Sequence, residues 1–122
     1  GNETDFLIRE IRRIISEVFS NYINVLENLL NPTNVPLFVF SIVKILDEKK
    51  KKKLSELYMA FAKEWIPLLQ LDLRYNEAKE AEFIKKAHVI WKKTTEDFYE
   101  IAEFIKTNWD ANSEGKTSGY LG

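Results

Sequence analysis

At 122 residues, with 45% hydrophobic and 30% charged side chains, the chain has the size and composition of one globular domain that buries a core without staples. The absence of cysteine excludes disulfides, thiolate zinc sites and thiol nucleophiles together, and a net charge of −1 excludes bulk attraction to nucleic acid or an anionic membrane, leaving only local patches for such contacts. No apolar run reaches the roughly eighteen residues of a membrane span, and no basic-then-apolar signal segment opens the chain.

Glycine is absent from Asn2 to Glu114, and proline occurs only at Pro32, Pro36 and Pro67, which disfavours hairpins and favours helices with short polar joints. From Leu7, the residues Ile11, Ile14, Val18, Tyr22, Val25 and Leu29 follow at steps of three and four, with Ile8, Ile15, Phe19, Ile23, Leu26 and Leu30 widening the stripe. This predicts a first helix over about 5–30, ended by Asn31-Pro32-Thr33-Asn34. A second helix over about 35–50 opens with Asn34 or Thr33 as cap and Pro36 in its first turn. It is apolar nearly all round, so it is expected at the centre of the core or under a second subunit. The run Lys49–Lys53 separates it from a third helix over about 54–66, in which Leu54, Leu57, Tyr58, Phe61 and Trp65 step by three and four. Whether these two helices are continuous stays open, since neither glycine nor proline marks a break. Pro67 ends or kinks the third helix, Leu68–Leu73 forms an apolar stretch, and Asn76 caps a final helix over about 77–108. There Ile84, Trp91, Phe98 and Ile105 lie seven apart, with Ala87, Thr94 and Ile101 between them, as in an antiparallel packing seam. The expected fold is all-α, a mostly antiparallel four-helix bundle in one domain, with an irregular tail over 111–122.

Chemistry-bearing constellations are scarce. His88 is the only histidine, with no acid three or four residues before it, so a di-iron or zinc pair has no ligands and His88 reads as an ordinary surface or half-buried side chain. Glu96, Glu100 and Glu103 share a side of the last helix with Asp97 beside them, which reads as a solvated face more readily than as an acid–base pair. Gly115-Lys116-Thr117 lacks the upstream glycine and the following helix of a phosphate-binding loop. No cofactor, metal or catalytic residue is expected, and the chain reads as non-enzymatic. A basic stripe of Lys79, Lys86 and Lys93, flanked by Lys85 and Lys92, joins Arg9, Arg12 and Arg13 as candidates for phosphate contacts by charge alone, against the alternative that these lysines solubilise a face and pair with Glu82 and Glu96. Sixteen aromatics exceed what a small core demands, so some are expected to meet a second subunit or lipid. The charged residues are mostly Glu and Lys, as in hyperthermophile proteins, while the asparagine content points the other way.

The closing Thr117-Ser118-Gly119-Tyr120-Leu121-Gly122 after a long final helix, and Asn31-Pro32-Thr33 leading into an apolar helix, resemble the four-helix-bundle coat proteins of filamentous and rod-shaped archaeal viruses. In that family a bundle follows a basic N-terminal arm, and the subunits wrap double-stranded DNA into a filament, in some members beneath a lipid envelope. The resemblance implies a virion subunit whose partners are copies of itself and double-stranded DNA, with Tyr120 and Leu121 touching a neighbouring subunit. Gly1, standing where a Met would open a chain, is expected to be a remnant of tag removal, so that such an arm would lie ahead of this sequence. The rival expectation is a cytoplasmic adaptor or regulator whose groove takes a partner helix.

Overall fold

The computed structural model describes the backbone of residues 2–121 and the side chains of residues 3–109, and the structural statements that follow concern these. Five helical segments follow one another, α1 (Asn2–Leu30), α2 (Leu37–Ile45), α3 (Glu48–Ala62), α4 (Trp65–Leu73) and α5 (Glu77–Leu121), with no strand among the described residues. The fold is all-α, and α1, α2, α3 and α5 make the bundle.

The boundaries follow from local chemistry. α1 begins slightly before the expected Asp5, with Glu3 and Asp5 in its first turn where the helix dipole favours them. It closes as the Asn31 N–H bonds to the Glu27 carbonyl at 2.8 Å, because Pro32 drives its predecessor out of helical backbone. Neither Thr33 nor Asn34 caps α2. Its N-cap is Pro36, extended and without a side-chain cap bond, so the helix starts two residues later than expected. α2 and α3 are separate helices: Leu46 and Asp47 are extended, and the Asp47 carboxylate accepts the Lys50 N–H at 2.8 Å. An aspartate cap makes this break without glycine or proline, and the lysine run forms the first turns of α3 rather than a joint. The next break comes at Lys63–Glu64, before Trp65. Pro67 then falls in the first turn of α4, where a missing N–H leaves nothing unsatisfied, and the stretch Leu68–Leu73 is helical. Asn76 caps α5 as expected, its Oδ1 accepting the Lys79 N–H at 3.0 Å. α5 runs to Leu121, past the expected Asn108, while the side chains of the tail expected over 111–122 fall outside the described residues.

Side-chain contacts fix the directions. Arg12 meets Glu80 and Tyr22 meets Trp91, so α1 and α5 run parallel. Glu64 meets Lys86 while Lys53 meets Asp97, so α3 runs antiparallel to α5 and hence to α1. Phe19, Leu26, Leu54, Leu57, Phe61, Phe83, Ala87 and Ile101 fill the space between them. At its centre Phe61 meets Phe19 edge-on at 4.8 Å and Tyr22 stacked at 5.9 Å, while Tyr22 also reaches Trp91 and Phe98. α2 is not the centre of this core: none of its residues is buried, and Leu37 and Phe38 are exposed. Nine residues packed on α1 and α5, close to the end of α1, find too few neighbours to be enclosed on several sides.

Candidate assembly surface

The basic residues expected on one phosphate-binding face separate into different environments. Arg12 leaves the set, because it is 3% exposed and its Nε donates to Glu80 Oε2 at 2.8 Å. Its Nη1 donates to Asp72 and, at 3.3 Å, to the Ser16 hydroxyl. Burial works against the guanidinium charge, yet the hydrogen bonds and charges of Glu80 and Asp72 outweigh it and hold the pKa above its ordinary value. Arg12 is thus a structural cation, with no face left for a phosphate. Arg9 and Arg13 stay exposed, Arg9 over the Tyr75 ring at 4.8 Å and Arg13 beside Glu10 at 3.4 Å. The Tyr75 hydroxyl is held above its ordinary pKa by desolvation and by the charge of Asp5.

Lys79, Lys86 and Lys93 are all exposed on α5. Lys86 ion-pairs with Glu64 at 2.8 Å rather than with Glu82. Glu64 is 2% exposed, and Oε1, the oxygen facing Lys86, makes no hydrogen bond to any other group. Together with Lys79, Glu82, Arg74 and Gln70, these residues line an open cleft of about 460 Å³. Its charges are mixed, so it offers no uniformly basic track. Three lysines of the run are partnered: Lys50 with Asp47, Lys51 with Glu48, and Lys53 with Glu56 and Asp97. The carboxylates Glu96, Glu100 and Glu103 are exposed. Among the described residues no group of three or more potential ligands is placed to hold a metal ion, and no helix is long and apolar enough to cross a membrane. Tyr120 and Leu121 lie outside the described side chains.

The buried acids Glu64 and Glu80 are the paired side chains that the charge pattern does not single out. A signal was present in the spacing. Glu80 stands seven residues before Ala87 and Glu64 three after Phe61, so each continues a core stripe, as Arg12 does seven residues before Phe19.

What the bundle leaves outside is apolar. On α1, Leu7, Ile11, Ile14 and Val25 are between 45% and 59% exposed and share one stripe with Val18. Ile14 and Val18 of this stripe, with Ile84, His88 and Trp91 of α5, line a groove of about 250 Å³ between the two parallel helices. His88 therefore sits at the edge of an apolar groove. A second strip runs along α4, where Trp65, Ile66, Leu69 and Leu73 are exposed within one face. The two strips lie on different sides of α1: Arg12, which reaches Asp72 of α4, points about 160° around the helix from Ile14. Large apolar side chains are thus arranged in continuous strips rather than scattered singly, the pattern of surfaces that another molecule covers.

No protein-family model, curated protein or solved structure matches the chain.

Proposed function

We propose that the protein is a non-enzymatic assembly subunit that works by self-association through its exposed helix faces. The observation that carries this reading is the pair of apolar strips, one in the α1–α5 groove and one on α4, on different sides of the molecule. A single self-complementary patch closes into a dimer and stops, whereas two separate patches let subunits be added one after another. The likeness of Asn31-Pro32-Thr33 and of the closing residues to filamentous virus coats adds a narrower form of the proposal, a nucleocapsid subunit on double-stranded DNA. In that form Arg9, Arg13, Lys79 and Lys93 are the phosphate contacts, and Arg12 has no part.

Sedimentation velocity over a concentration series, with electron microscopy of the same samples with and without linear double-stranded DNA, tests both. Self-association that rises with concentration is the expected result, and a species that stays monomeric at millimolar concentration refutes the proposal. Filaments that need DNA and weaken from low to moderate salt support the nucleocapsid form. The apolar groove also favours a second reading, an adaptor that receives a partner helix. A discrete heteromeric complex from a monomeric chain would select it.

A further inference from the structure

We infer that the α1–α5 groove is closed by a second copy of this chain, in an isologous dimer whose two-fold axis runs along the helices, so that α1 of each copy packs on α5 of the other. The inference rests on the self-association reading and names its face and its partner. The floor of the groove is apolar, formed by Ile14, Val18, Ile84 and Trp91. Where α1 and α5 lie side by side its two rims carry Glu17 and Lys85, while Glu10 is paired with Arg13 of its own helix. On α1, Glu3, Glu10 and Glu17 recur every seven residues along the solvent edge of the apolar stripe. On α5, Lys85 and Lys92 occupy the corresponding edge, seven residues apart, and both are exposed.

Register decides how a second copy fits. The Arg12–Glu80 and Tyr22–Trp91 contacts align α1 with α5 so that Glu17 stands level with Lys85. A two-fold axis parallel to the helices preserves these heights and exchanges the rims. Glu17 of each copy then meets Lys85 of the other, twice in the dimer. An axis across the helices would instead lay α1 on α1, bringing acidic rim to acidic rim and lysine to lysine, which opposes association. Charge complementarity therefore selects the parallel arrangement. α5 begins level with Arg9, so the face that α1 and α5 share runs about 21 Å from Ile11 to Val25 and, as two helices side by side, is about 18 Å wide, or about 400 Å² per copy. The total of about 800 Å² is below that of stable interfaces, so the dimer is weak and reversible. A lone helix from an unrelated protein would fill the same groove without requiring this rim pairing.

Because the chain has no cysteine, single cysteines report the geometry directly. Under oxidation, an equimolar mixture of the E17C and K85C variants is expected to form a disulfide-linked dimer, while E17C alone does not. In sedimentation equilibrium at low salt, E17K and K85E should each weaken dimerisation about tenfold, since two equivalent rim pairs change from attraction to repulsion at about threefold apiece. The double variant E17K/K85E should return to within about threefold of the parent. I14E, at a position 59% exposed, should abolish the dimer while far-ultraviolet circular dichroism is unchanged. Association that persists unaltered in all of these variants overturns this face and leaves the assembly reading standing. Preferential linkage of E17C to itself overturns the parallel geometry. A parent chain monomeric at millimolar concentration overturns both readings, and a foreign partner bound by that monomer and lost in I14E assigns the groove to another protein.

Discussion

Removing Arg12 or its buried partner Glu80 should destabilise the fold more than a change of any exposed charge. Its guanidinium is the cation facing Glu80, which is 0% exposed, and also holds Asp72, whose side chain is 59% exposed. In Arg12→Ala a buried carboxylate loses its counter-charge and its strongest hydrogen bond, a change that costs about 3–5 kcal/mol. Glu80→Ala should cost a similar amount by stranding Arg12, whereas Asp72→Asn, at an exposed position, should stay under about 1 kcal/mol. With a urea m-value of about 1.5 kcal/mol/M, the first two changes lower the unfolding midpoint by about 2–3 M. Against a typical domain stability of about 5–15 kcal/mol, this is a large fraction of the whole. The double variant Arg12→Met/Glu80→Leu removes both charges and fills the site with apolar volume, so it should be more stable than either matching single variant, Arg12→Met or Glu80→Leu, with a coupling energy above about 2 kcal/mol. Urea titrations followed by tryptophan fluorescence would measure all of these. Losses below about 1 kcal/mol for Arg12→Ala and Glu80→Ala alike would mean that water reaches the pair, and would return Arg12 to the candidates for external contact.

Asp47 is held below its ordinary 3.8 by the Lys50 backbone N–H and then by the Lys50 ammonium. A carboxylate whose folded pKa is depressed stabilises the fold fully above its unfolded value and loses that contribution as pH falls through the folded one. Carboxyl-resolved NMR should therefore place the Asp47 titration below pH 3.8, and Asp47→Ala should flatten the acid limb of stability below that pH. Phe61→Ala should cost about 3–5 kcal/mol in chemical denaturation, because the ring is 0% exposed among Phe19, Tyr22 and Phe98, while Val89→Ala at 63% exposure should stay within about 0.5 kcal/mol. Lys86→Ala should lose about 1–3 kcal/mol in thermal melts, leaving the buried Glu64 without its cation, whereas Lys79→Ala and Lys93→Ala should change little. Equal effects of all three on stability would refute a structural role specific to Lys86.

Periodicity carried the long helices because it is set by burial. Phe19, Leu26, Leu54, Leu57, Phe61, Ala87 and Ile101 all occupy the inward positions that their spacing assigned them. The breaks are less legible, because a single carboxylate ends one helix and caps the next where neither glycine nor proline stands. Asp47 stops one helix and starts another through one side-chain hydrogen bond, and Pro67 opens a helix that it was expected to end. The site was less legible than the fold. A charged side chain is read by default as facing water, and Arg12, Glu64 and Glu80 are exceptions that only their places in the heptad stripes betray. The same default hid the apolar faces: Leu7, Ile11 and Ile14 have the spacing of core residues, and which of two adjacent stripes on α1 faces inward is decided by where α3 and α5 sit.

The distribution of charge bears on which assembly is favoured. Arg12, Glu64 and Glu80 are taken out of water by pairing across helices, Arg12 tying α1 to α4 and α5, and Glu64 tying the start of α4 to α5. Pairs of this kind add little net stability over an apolar packing, but each fixes the register of the helices that it joins. The register so fixed is the one that brings Glu17 level with Lys85 and holds Ile14 and Val18 beside Ile84 and Trp91. Arg12 is withdrawn from any contact with DNA, so on a chain of net charge −1 such a contact through the bundle would fall to the exposed Arg9, Arg13 and the lysines of α5. The exposed apolar strips exceed what a lone bundle leaves in water, and they suit a subunit whose helix faces are completed by another protein surface.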